Sequence, residues 1–176
     1  GTQREGAWRI YTMRPDGSEQ RSLPTPAEGN SPSWSPDGKT ITFMSESSGN
    51  ADIFVMDADG ANQRLLIGGE AWDYLPRWSP DGRSIAYLTS AAPRSPAGDP
   101  AQRGITPPRA EDVANGGAQL AVMAADGSGS RSLTRLAGGV RNPEWSPDGT
   151  RIAFNTFVEP QTGLETLGQP VSDDPY

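Results

Sequence analysis

Neither cysteine nor histidine occurs in this chain of 176 residues. Without cysteine there is no disulfide, no thiol nucleophile and no thiolate metal site. Without histidine the commonest metal ligand and the usual general base are missing, and with them any Ser-His-Asp triad. No G-x-S-x-G nucleophile elbow appears either. Lys39 is the single lysine, and with a net charge of −7 and a pI near 4.6 no basic face offers itself to nucleic acid. Long apolar runs are absent too. Nothing approaches the ~20 residues needed to insert across a bilayer, and the opening GTQREGAWRIYTM lacks the apolar stretch of a signal peptide and an initiator Met, so the chain reads as a mature product or an excised segment. The missing cysteine suits either redox compartment. Neither catalysis within these residues nor a cofactor is expected.

Repetition is what the chain has in quantity. WSPDG occurs at Trp34–Gly38, Trp78–Gly82 and Trp145–Gly149, each followed by a β-prone run: ITFMS, IAYLT or IAFNT. A second pattern alternates with it: IYTMRPDG from Ile10, IFVMDADG from Ile53 and LAVMAADG from Leu120. The tryptophans are 44 and then 67 apart, and Met13, Met56 and Met123 are 43 and then 67 apart. Both series therefore jump by about 23 at one place, which locates an insertion at about 91–117, rich in proline and without period. Such a composition predicts a mobile surface loop. A repeat of this length indicates a propeller, a solenoid or an array.

Within one unit the pattern predicts four short strands: Asn30–Ser35, Thr40–Ser45 with Ile41 and Phe43 alternating against threonines, Asp52–Met56, and one near Gln63–Ile67. Turn signals every 8 to 12 residues make this an all-β chain of propeller blades, each of four antiparallel strands. Pro36 presets the first corner of a tight turn, Asp37 can bond its own backbone, and Gly38 takes the φ > 0 position; Pro80-Asp81-Gly82 and Pro147-Asp148-Gly149 repeat the device. Glycine and proline, 21 and 17 residues, thus serve mainly as hairpin punctuation. Trp34, Trp78 and Trp145 are expected to wedge between adjacent blades, each removing on the order of 200 Å² from water.

The pattern P-x-W-S-P-D-G-x-x-I-A-F, followed by I-F-V-M-D-A-D-G and R-L-L, resembles the WD-like repeat of the TolB β-propeller family. It resembles equally the propellers that cover the catalytic domains of prolyl-oligopeptidase-type and tricorn-type peptidases. The similarity spans residues 8 to 157 apart from the insertion. The first reading implies a non-catalytic scaffold for protein or peptide partners in a bacterial periplasm or cell envelope. The second implies the gating or substrate-selecting part of a serine peptidase whose catalytic domain lies elsewhere, and a sugar- or ligand-binding propeller is a third. Where the family has six or more blades, this chain has about three: a half blade at 8–24, blades at 30–67 and 74–134, and a half blade at 141–157, all within 1–157. It is thus a partial propeller, either a portion of a longer one or half of a six-bladed ring completed by a homodimer. The remaining 158–176 form an acidic tail expected to be disordered in isolation.

The segment before each inner strand is expected at the mouth of the central channel. There Asn30, Trp72, Asp73, Tyr74, Arg141 and Asn142 are the candidate binding residues, because aromatic and arginine side chains are common interface anchors and the others are polar without an obvious core role. Asp57–Asn62, DADGAN, carries alternate oxygen ligands but lacks the acidic residue six places after Gly60, where Leu66 stands. It is read as a hairpin turn, and no metal site is expected.

Overall fold

A computed structural model describes residues 8–24, 28–90 and 117–158. Most of the predicted insertion, at 91–116, and the tail from 159 onward lie outside the described residues. Twelve strands and no helix are present among those described: β1 Tyr11–Thr12, β2 Arg21–Ser22, β3 Asn30–Trp34, β4 Thr40–Ser45, β5 Asp52–Asp57, β6 Arg64–Ile67, β7 Trp72–Trp78, β8 Ser84–Ser90, β9 Gln119–Ala124, β10 Arg131–Ser132, β11 Arg141–Trp145 and β12 Ile152–Asn155. They form a two-stranded sheet β1-β2, two four-stranded sheets β3-β4-β5-β6 and β7-β8-β9-β10, and a two-stranded sheet β11-β12, all antiparallel meanders. This is the propeller blade repeated along the chain.

Identical local chemistry builds each blade. In the first turn the hydroxyl of Ser35, Ser79 or Ser146 donates to Asp37, Asp81 or Asp148 Oδ1 at 2.7, 2.6 and 2.6 Å. The same hydroxyl accepts the N–H of Thr40, Ser84 or Arg151 at 3.0, 2.9 and 2.9 Å. Each aspartate also accepts the N–H two residues on, from Lys39, Arg83 and Thr150. These bonds favour the ionised acid and hold all three carboxyls below their ordinary range, the Ser hydroxyl being the largest cause; Asp148 falls to about 2. Gly38, Gly82 and Gly149 close the turn at φ 68°, 69° and 70°.

Hydrophobic side chains from adjacent sheets form three cores in series. Ile10, Leu23, Ile41, Phe43 and Met56 join the first sheet to the second. Ile53, Ile85, Tyr87, Ala121 and Met123 join the second to the third, with Trp78 packed against them. Ala86, Leu88, Ala118, Leu120 and Val140 join the third to the fourth, with Trp145 against them. Backbone stitches accompany each junction: Gly29 N–H donates to Trp8 O at 3.0 Å, Asp73 N–H to Ala51 O at 2.7 Å and Val140 N–H to Ala118 O at 2.7 Å.

Two of the three repeat tryptophans behave as wedges, and Trp145 Nε1 also donates to Arg77 O at 3.1 Å across the blades. Trp34 corrects the expectation: it is 48% exposed. The physical reason is local. Among the described residues the sheet before β3 has only the strands β1 and β2, and none of them packs an inner strand against Trp34.

Candidate binding rim

Each inner strand begins with the same distortion. β3 and β11 open with Asn30 and Arg141 paired to Met44 and Asn155, β7 pairs Trp72, Asp73 and Tyr74 with Ser90, Thr89 and Leu88, and then the register shifts before Ser33, Glu144 and Arg77. Inside that shift stand a left-handed residue and a proline: Ser31 at φ 51° before Pro32, Leu75 at φ 51° before Pro76, and Asn142 at φ 49° before Pro143. Proline has no N–H for the ladder, and a non-glycine residue at positive φ costs on the order of 1 kcal/mol or more. Such bulges re-aim side chains and cluster near binding sites. They recur in three successive blades, each beside candidate residues.

The candidates divide by environment. Trp72, at the very start of β7, is partly exposed, Asn142 is exposed, and Arg141 and Asn30 are half-buried. Asn142 Nδ2 donates to Asn155 Oδ1 at 3.3 Å, and Asn30 Oδ1 accepts from the Ser31 hydroxyl at 3.1 Å. Tyr74 leans into the third core. Asp73 is buried instead of standing at an open mouth, because its backbone is stitched to Ala51 beneath the neighbouring blade. Burial raises its pKa, a Thr89 hydrogen bond lowers it in part, and the nearby charge of Asp52 raises it further.

Two clefts each include one candidate residue. One, of about 280 Å³, lies between the second and third blades and is lined by Asp73, Thr89, Tyr87, Ser130, Arg131 and Glu70 among others. In it the Tyr87 and Ser130 hydroxyls are 2.5 Å apart. The other, of about 360 Å³, includes Asn30 with Trp8, Ile10, Tyr11 and Pro32. Trp72, Tyr74, Arg141 and Asn142 line neither of these two clefts.

Sequence reasoning missed the left-handed residues and the buried pair. A proline two places before every repeat tryptophan was the available signal for the former. Asp52 gives no such signal: it accepts a bond from the Ser48 hydroxyl through Oδ2, while Oδ1 is buried without a partner. The DADGAN turn is a hairpin turn whose carboxylates serve its own backbone and amide: Asp59 Oδ1 accepts Ala61 N–H at 2.8 Å and Asp57 Oδ2 accepts Asn62 Nδ2 at 2.6 Å. Among the described residues no cluster of three acidic side chains could hold a metal ion, and no helix is long and apolar enough to cross a membrane.

Known proteins share this repeat and architecture. The family model "TolB beta propeller domain" matches residues 1–96. The Tol-Pal system protein TolB of Rhizorhabdus wittichii is 36% identical over 61 residues, 34% of this chain and 14% of that protein. The TolB homolog of Chlorobium luteolum is 44% identical over 55 residues, 30% of this chain and 12% of its own length. Each match thus spans a small part of the relative. The structure of a putative TolB from Agrobacterium tumefaciens superposes with a TM-score of 0.64 at 23% identity, covering 85% of this chain and 50% of that one. An acylaminoacyl peptidase superposes with a TM-score of 0.51 at 17% identity, covering 83% of this chain and 23% of that one, which shows the shared fold.

Proposed function

The chain belongs to the TolB β-propeller domain family, and on that premise we propose that it is a non-catalytic scaffold that binds protein or peptide partners at its rim. The observation that carries this reading is the threefold recurrence of a bulged, left-handed start to the inner strand, at Ser31, Leu75 and Asn142. It recurs beside the candidate residues Trp72, Tyr74, Arg141, Asn142 and Asn30, which supports reading the starts of the inner strands as the binding rim. Trp and Tyr supply rigid contact area and Arg a planar fork of donors, the residue types that anchor protein contacts. The absence of histidine and cysteine from all 176 residues removes the usual nucleophile-activating groups, which supports a binding role for this segment. The names of the relatives, Tol-Pal system proteins, support a bacterial envelope setting with envelope proteins as partners.

The test begins from peptides selected by phage display against the whole chain. Their affinity, measured by calorimetry, falls about tenfold or more for Trp72→Ala and Arg141→Ala, the loss expected of an interface anchor, with the melting temperature held. Unchanged affinity in both variants refutes the rim as the site.

A further inference from the structure

The seam between the two four-stranded blades buries a pair of carboxylates. Asp52, which opens β5, is 2% exposed, and Asp73, second in β7, is 4% exposed. The bond from Asp73 N–H to Ala51 O, at 2.7 Å, ties the two segments together one residue from Asp52. Burial first holds the Asp73 carboxyl above its ordinary range; a Thr89 hydrogen bond opposes this, and the charge of Asp52 adds to it. Among the described residues the ion pairs are Arg14–Glu19 and Lys39–Asp37, so neither buried acid has a basic partner. Burying charge without compensation is unfavourable.

Oxygen atoms converge under the loop that joins β6 to β7. Asp52 Oδ2 accepts from the Ser48 hydroxyl, whereas Oδ1 is buried and accepts nothing. A β-carbon on Gly68 would lie 2.8 Å from Asp52 Cγ and 3.0 Å from Oδ1, so a side chain there would press on this carboxylate. Gly68 also lines the cleft of about 280 Å³ that Asp73 and Thr89 line. Asn50 holds the loop in place: its Nδ2 donates to Gly69 O at 2.9 Å and to Ala71 O at 2.7 Å. Glu70 and Arg131 are the other charged residues along the cleft, and Glu70 does not join the pair in a three-acid cluster.

We propose that Asp52 and Asp73 together hold a hard divalent cation of calcium's kind in this seam. The idle Asp52 Oδ1 and the Asp73 carboxylate supply two ligands and the balancing charge. The Thr89 hydroxyl, the loop carbonyls and solvent water supply the neutral oxygens that calcium takes in addition. Calcium suits the place better than magnesium, because it accepts irregular oxygen geometry whereas magnesium demands a near-ideal octahedron. The ligands come from β5, β7 and β8, so the ion ties the second blade to the third. Arg131 opposes the site from the cleft wall and limits its affinity. Peptide capture at the rim by Trp72 and Arg141 has no part in this argument.

Calcium chloride titrated into the whole chain, stripped of metal by a chelator, tests the site through the melting temperature. The melting temperature is expected to rise with calcium, because the ion binds only the folded seam, with a Kd of about 10⁻⁴ to 10⁻³ M, the weak end of protein calcium sites. Asp52→Asn and Asp73→Asn keep the side-chain shape and remove one charge, and each weakens calcium about tenfold or more. Asp73→Asn is expected to be the more stable protein without metal, so its lost response does not reflect unfolding. Asp59→Asn, in the exposed DADG turn, leaves the response unchanged. No calcium response up to about 10 mM, ten times the weakest expected Kd, overturns the proposal and leaves the pair as acids that keep a proton. So does a response that survives both seam substitutions or that Asp59→Asn removes, since the ion then binds elsewhere on an acidic chain. A magnesium response equal to that of calcium overturns it as well.

Discussion

Trp145 and Trp78 occupy the same place in the repeat but differ in one bond, and replacing each by phenylalanine measures that difference. The change removes roughly 40 Å² of ring surface, about 1 kcal/mol at ~25 cal/mol/Å². At Trp145 it also deletes the donor to Arg77 O at 3.1 Å, about 1 kcal/mol more, so Trp145→Phe costs about 2 kcal/mol. Trp78 Nε1 is buried without a partner. Removing an unsatisfied donor recovers about 1–3 kcal/mol of desolvation, which offsets the lost surface, so Trp78→Phe is neutral or stabilising. Equilibrium chemical unfolding followed by far-UV circular dichroism reads both values, and the linear extrapolation holds if the slope is unchanged. Equal losses at the two positions would refute the argument that the inter-blade bond, and not the indole as such, distinguishes them.

Gly127→Ala and Gly17→Ala both pay for a β-carbon at positive φ, about 1 kcal/mol. Only the former collides with Leu66 O, so thermal unfolding should drop further for Gly127→Ala, by roughly 2 kcal/mol more, and equal drops would contradict the close blade approach there. Asp37, Asp81 and Asp148 have folded pKa values below the ordinary 3.8. Their contribution is therefore complete above that value and is lost as pH falls, for Asp148 through about 2; an acid titration of Asp148→Ala should be flatter than that of the parent over this window, and parallel curves would show that the turn bonds do not matter. Asp73 has the opposite sign: its raised folded pKa means that the carboxylate costs stability at neutral pH and that the cost fades as pH falls through the folded value toward 3.8. Asp73→Asn should thus be the more stable protein at pH 7, with a lead that narrows in acid, and a constant or reversed difference would disprove the burial argument.

Much of the fold was legible because each blade is built from local signals. Trp-Ser-Pro-Asp-Gly specifies a turn through bonds that span at most five residues, from Ser35 to Thr40 and its equivalents. Alternation in ITFMS marks a half-buried strand, while the continuous apolar run IFVM serves two cores, with Ile53 in one and Met56 in the other. Strand positions followed, and β3, β4 and β5 lie within one residue of where the pattern put them. The candidate rim was legible only in part. The prolines before each tryptophan marked a break, but that Ser31, Leu75 and Asn142 turn left-handed depends on how the inner strand re-enters its ladder.

By itself, then, the amino-acid order determined the blade, its turns and its repetition, since these rest on backbone preference and contacts a few residues apart. Only the tertiary arrangement decided the environment of each copy. Trp34, Trp78 and Trp145 share one pentapeptide, yet one is exposed, one is packed with an idle donor, and one is packed and bonded. Asp73 likewise became a buried carboxylate because the neighbouring blade covers it. Burial and its electrostatic consequences belong to what stands next to a residue in space, and in a repeat protein that neighbour changes from one copy to the next.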